Sequence, residues 1–351
     1  MSPESLSVRR VIVGSAIAAG IGLLATAWGV FSPKVLDHYA DSPDSVRITE
    51  WAEQATGSDM LRWLTGRWIH TDSPPYYRPL ASYLFWAEYQ VFGRDFQGHV
   101  VISWLIHAAV CVCLYLLALR LFPGPRRFAV ATGLLAVALF NLRLTPTGPY
   151  WPVAPVAYAV IAWWPAQTDQ MSLLPSLLAL LALDRWLLRE DPRGLAKATG
   201  LWLVGLLFKE MAIVLPALAG LLVVYRDGAR SLGLPWSAGA TDEEAAYRGL
   251  AWKIGLGGIG AAAGFMALRA AMLPFAPGIE HHPAGYYLGK APFLLISRPW
   301  TLMVSYDPWV PAAAALCAVG VLVWVRAPRR PSAVWLALGL WRLLGPDTLQ
   351  V

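Results

Sequence analysis

His99-Val-Val-Ile-Ser-Trp-Leu-Ile-His-Ala-Ala-Val-Cys-Val-Cys-Leu-Tyr-Leu-Leu-Ala-Leu119 contains no Asp, Glu, Lys or Arg. Coiled as a helix at about 1.5 Å per residue, it matches the roughly 30 Å hydrocarbon core of a bilayer. It reads as a transmembrane span. Val11–Phe31, Phe128–Leu144, Met171–Leu188, Leu250–Met272, Pro311–Val325 and Ser332–Leu344 have the same apolar character. The whole 351-residue chain agrees: 57% of it is hydrophobic and 14% charged, against about 25% charged in soluble domains. That composition excludes an ordinary soluble enzyme, a disordered protein and a disulfide scaffold. Cys111, Cys113 and Cys317 lie inside apolar runs and read as small buried hydrophobes.

Net charge is +6, but the basic residues are dispersed in short gaps between apolar runs, so nucleic-acid binding is not expected. Such placement identifies cytoplasmic loops. Arg9/Arg10, Arg120/Arg126/Arg127, Arg185/Arg189/Arg193/Lys197, Arg226/Arg230/Arg248/Lys253 and Arg326/Arg329/Arg330 are the groups. Ala25-Thr26-Ala27 resembles a signal cleavage site, yet the first apolar run is long enough for a retained anchor. Placing every basic group inside requires an even number of crossings between neighbours. Thr199–Tyr225 is too long for one span, and Lys209-Glu210 interrupts it. Two half-spans meeting at Lys209-Glu210 keep the parity and move both charges out of the lipid, where each would cost roughly 2.5–3.5 kcal/mol.

The expected fold is therefore an all-α integral membrane protein, a polytopic helical bundle of about nine spans forming a single domain over residues 1–351. The N-terminus is expected in the cytoplasm and the active face outside it, in the inner membrane if the cell is bacterial. Residues 32–97 form a large first extracytoplasmic loop with amphipathic helices at Ser45–Ala55, Asp59–Ile69 and Leu80–Phe92; 145–170 and 273–310 are further outer segments. The Trp and Tyr residues of the first loop read as an aromatic belt at the membrane–water boundary. Cysteines introduced at positions 72 and 210 should react with an impermeant thiol reagent from outside, and one at 126 should not. Labelling of position 210 only from the cytoplasm would contradict the two half-spans.

Charged groups beside the lipid draw the functional reading. Asp37-His38-Tyr39-Ala40-Asp41-Ser42-Pro43-Asp44 follows the first span, and its carboxylates could act as a general base or hold a divalent cation such as Mg or Mn; it reads equally as a solvated loop. Tyr77-Arg78-Pro79-Leu80 places a guanidinium before an outer helix, suited to a phosphate, a lipid headgroup or a carboxylate. Asp169 is expected to cap the N-terminus of the next span, and Arg269 to lie near the outer end of its own. His107 reads as a buried helix contact. His281-His282, adjacent and without spaced partners, are a poor metal signature, and no nucleotide-binding glycine loop, HExxH or GxSxG occurs.

In order, these pieces resemble the GT-C superfamily of polytopic glycosyltransferases, in particular its protein O-mannosyltransferases and transmembrane-and-tetratricopeptide O-mannosyltransferases. The resemblance is carried by Asp37, Tyr77-Arg78-Pro79-Leu80, Trp104–His107, Thr168-Asp169, Phe208-Lys209-Glu210-Met211-Ala212, Ala267-Leu268-Arg269 and Leu338-Gly339-Leu340-Trp341. It implies a sugar donor on a polyprenyl phosphate, a protein or glycan acceptor hydroxyl, and inversion at the anomeric carbon. It further implies Asp37 or Asp41 as general base, Arg78, Lys209 and Arg269 at the lipid phosphate, and Asp169, Glu210, His38 and Tyr77 in support. Relatives often have paired acids at the first motif, where this chain has Asp37-His38. They also continue beyond the point corresponding to Val351. A truncated or inactive relative serving as a membrane partner, and a lipid or sugar carrier, are the alternatives.

Overall fold

The computed structural model describes residues 8–65, 76–121, 126–141, 144–145, 154–155, 160–188 and 191–231, with isolated positions between 257 and 267. These residues are mostly helical: α1 (Val8–Val30), α2 (Pro33–Ala40), α3 (Pro43–Gln54), α4 (Met60–Thr65), α5 (Pro79–Phe92), α6 (Phe96–Leu121), α7 (Arg126–Asn141), α8 (Gln167–Leu187), α9 (Gly194–Phe208) and α10 (Leu215–Ser231). Short 3-10 turns occupy Gly57–Asp59, Trp164–Ala166 and Glu210–Val214. One antiparallel pairing joins Leu144–Thr145 to Ala154–Pro155. Among the described residues, α1 and α6 are long and apolar enough to cross a membrane. The expected spans at 311–325 and 332–344, most of the one at 250–272, Arg269 and the outer segment 273–310 lie outside the described residues.

Small side chains let the long helices approach. Gly14, Ala18, Gly22 and Thr26 recur every four residues along the buried face of α1, a spacing that repeats on one side of a helix. That face meets α6, where Thr26 Oγ1 accepts from Trp104 Nε1 at 3.0 Å. The opposite face is apolar and bare: Leu24 is 80% and Trp28 91% exposed. Val101 and Leu105 on α6, Leu135 on α7 and Leu203 on α9 are exposed too.

The expected break at Lys209 is present. Lys209 is extended, with φ −160° and ψ 140°, between α9 and the following 3-10 turn. Neighbours take up the freed backbone groups: Ser172 Oγ donates to the Lys209 carbonyl at 3.3 Å, and Trp202 Nε1 donates to that of Ala212 at 2.8 Å. Close packing holds the joint, because a Cβ on Gly205 would lie 3.2 Å from Ala212 Cβ, the Ser172 carbonyl oxygen and Ser176 Oγ.

The first loop is more ordered than its sequence announces. Residues 33–40, read as part of a polar loop, form α2, which buries Val35 and Leu36 against Val30, Val100, Ile161 and Ala162. α2, α3 and α5 each begin with Pro in the first turn, where the missing N–H costs nothing. Trp63 departs from the belt expectation. It is 1% exposed and sits within 5.0–5.7 Å, ring centre to ring centre, of Tyr83, Trp51 and Trp86. An aromatic core joins α3, α4 and α5.

Candidate functional site

Three chain segments converge at the N-terminal end of α8. Arg78 is the residue immediately before α5, Asp169 lies in the first turn of α8, and Lys209 and Glu210 form the break after α9. Phe208 fixes that break by packing with Ala81 and Phe85 of α5 and with Trp164. Arg78 donates through Nε and Nη2 to the two carboxylate oxygens of Glu210, both at 3.1 Å. Its guanidinium also stacks on Tyr76, 4.0 Å from the ring centre. Lys209 Nζ donates to Asp169 Oδ1 at 2.6 Å. These four groups form a quartet of two cations and two anions, formally neutral, drawn from residues up to 132 positions apart.

Asp169, in the first turn of α8, and Glu210, in the turn after α9, are pushed in opposite directions by their surroundings. Burial would raise the pKa of Glu210, but the bidentate Arg78 overrides it and the net direction is down. For Asp169 burial prevails over the pull of Lys209, so its pKa is raised. Environments that separate two acids in this way are what divides proton-holding from charge-holding roles in an active site. Asp169 does not cap α8 as expected: no side chain caps that end, and the Asp169 carboxylate reaches Lys209 instead. An acid there still opposes the positive end of the helix dipole. Arg78, expected at a phosphate, has its planar fork on a carboxylate.

The other described candidates are on α2, at its C-terminal cap and just before α5. Asp37 is on α2 and Asp41 is its C-terminal cap, one turn apart and both exposed. His38 is exposed beside Tyr39, ring centres 5.0 Å apart. Among the described residues no three His, Cys, Asp or Glu side chains gather as a metal site. Tyr77 is buried, and its hydroxyl donates to the Leu64 carbonyl at 2.8 Å, tying α4 to the start of α5. His107 is the helix contact expected of it, 2.8 Å from Asn141 Oδ1 on α7.

Sequence reasoning missed two buried charged centres. Asp184, near the C-terminal end of α8, is fully buried between Arg120 Nε at 2.5 Å and Arg226 Nη2 at 2.6 Å. It was obscured by the adjacent Arg185 and the basic run it opens. Glu88 on α5 is 5% exposed and accepts from Trp164 Nε1 at 2.9 Å and Gln167 Nε2 at 2.6 Å. A lone acid within the aromatic-rich stretch 80–92 was the available signal. Compared with protein-family models, curated proteins and solved structures, the chain matches none.

Proposed function

We propose that the chain is a polytopic membrane glycosyltransferase of GT-C type, moving a mannose-like hexose from a polyprenyl-phosphate donor to a protein or glycan hydroxyl at the extracytoplasmic face. The observation that carries the reading is the quartet: Arg78 and Lys209, cations that the resemblance assigns to the donor phosphate, meet at one end of the bundle. A departing phosphate needs positive charge fixed where negative charge grows. Glu210 and Asp169 hold those cations in place before the donor arrives. The bare apolar faces of α1, α6, α7 and α9 suit lipid. Arg120 and Arg226, both assigned to the cytoplasm by their loops, meet on Asp184 at the opposite end of α8 from the quartet. That arrangement agrees with one topology for α6, α8 and α10.

In the proposed reaction the acceptor oxygen attacks the anomeric carbon, its proton passes to Asp37 or Asp41, and the polyprenyl phosphate leaves with the bonding pair. The purified chain in detergent, given lipid-linked sugar and acceptor, should yield an inverted glycoside. No product from the folded chain would overturn the reading. Undiminished transfer by a D37N/D41N variant would remove both carboxylates as bases and leave the quartet to be explained.

A further inference from the structure

Glu88 lies outside the quartet but touches both arms that carry it. It is on α5, which begins just after Arg78, and it accepts from Trp164 and Gln167, which lead into the first turn of α8 beside Asp169. A third group faces it. His99, in the first turn of α6 and 2% exposed, places Nδ1 3.3 Å from Glu88 Oε2. Its Nε2 lies 3.1 Å from the carbonyl oxygen of Gly93. Gly93 terminates α5 with φ +57°, a conformation that glycine adopts without strain.

An ionised carboxylate and a peptide carbonyl are both acceptors, and a neutral imidazole has one N–H to offer. Either a doubly protonated ring beside a carboxylate, or a neutral ring accepting from a protonated Glu88, satisfies both contacts, so the ring is held on both sides in each case. The Trp164 indole holds its face, stacking on His99 with ring centres 3.9 Å apart and planes 25° apart. Asp37 and His38, on the neighbouring α2, are exposed. Among the described contacts of His99, Glu88 is its carboxyl partner.

We infer that Glu88 and His99 form a buried hydrogen-bonded pair that positions α5 against the start of α8, and thereby sets Arg78 and Asp169 at the distances the quartet requires. Glu88 is a positioning residue, and its bearing on sugar transfer rests on the function proposed above. With Gln at position 88, an amide N–H₂ would confront the N–H donors of Trp164 or Gln167, while His99 would lose its carboxyl partner.

The test uses the full chain in detergent with 15N-labelled His and Arg. In E88Q the His99 ring resonances should shift as the contact to Glu88 is lost, and the Arg78 Nε–H resonance should move away from its carboxylate-paired position. Q167L, which removes a single donor, should move that resonance less and covers the case in which E88Q does not fold. Transfer by folded E88Q should fall by up to about a hundredfold, as expected for reacting groups displaced by an ångström, and E88D should recover part of it. Unmoved His99 resonances in folded E88Q, or an unmoved Arg78 resonance in both folded variants, would overturn the inference. Expected resonances without any sugar product from the wild type would overturn the glycosyltransferase reading and leave the pair standing.

Discussion

Replacing Asp184 with Asn should destabilise the helical bundle by about 3–5 kcal/mol, the usual cost of stripping one partner from a buried ion pair. Asp184 is 0% exposed and serves two guanidinium groups at once, with Arg226 Nε donating to Oδ1 at 2.7 Å and Arg120 Nε to Oδ2 at 2.5 Å. The two arginines do not suffer equally. Arg120 keeps a side chain 24% exposed and can turn to water. Arg226, at 3%, cannot, although its Nη2 retains the Arg120 carbonyl at 2.9 Å. The loss therefore follows mainly from Arg226, and replacing it with Met in the D184N background should restore much of the stability. Thermal unfolding in detergent measures both variants. Equal midpoints for D184N and the wild type would show that the cluster contributes nothing.

Removing Arg78 should cost sugar transfer about two to three orders of magnitude, the range seen when one fixed donor is taken from a developing negative charge. The fold should survive, because Glu210 keeps a side chain 27% exposed and can hydrate once released. R78K should retain little of the activity: lysine cannot reproduce the two parallel N–H bonds to the Glu210 carboxylate, nor stack flat on Tyr76. The exchanged variant R78E/E210R should restore the pair and the folded state without restoring transfer, since the cation then stands at the wrong position. Initial rates over a range of donor concentrations separate these outcomes, and wild-type rates in R78K would remove Arg78 from the donor site. Because the Glu210 pKa is lowered in the folded chain, the pair contributes fully above the ordinary glutamate range. That contribution is lost only as pH falls through the lower folded value.

Periodicity and length made the long helices readable. Val11–Phe31 was expected where α1 runs from Val8 to Val30, and His99–Leu119 where α6 runs from Phe96 to Leu121. The break at Lys209 was readable too, since two charges in a 27-residue apolar stretch leave few alternatives. α2 was not readable: Asp37, Asp41 and Ser42 resemble a loop, and an eight-residue helix forms only because Val35 and Leu36 find a surface to bury against. Of the site, Arg78, Asp169, Lys209 and Glu210 could each be picked out as costly charges. Their pairing could not, because contacts across 40 and 132 residues leave no local pattern. Glu88 and Asp184 were hidden for the same reason, their meaning residing in partners on other helices.

The spacing of charge along α8 has a consequence for the membrane itself. Asp169 and Asp184, anchoring the two ionic clusters, are fifteen residues apart on one helix, or about 22 Å of axial rise. A bilayer core of roughly 30 Å exceeds that distance, and tilting the helix would only shorten its reach. In the proposed setting, lipid that meets both clusters would have to thin around α8, at a cost of fractions of a kcal/mol per ångström of mismatch. Such a dimple would draw headgroups inward at the quartet, lowering a lipid-borne phosphate towards Arg78 and Lys209 before the protein moves at all.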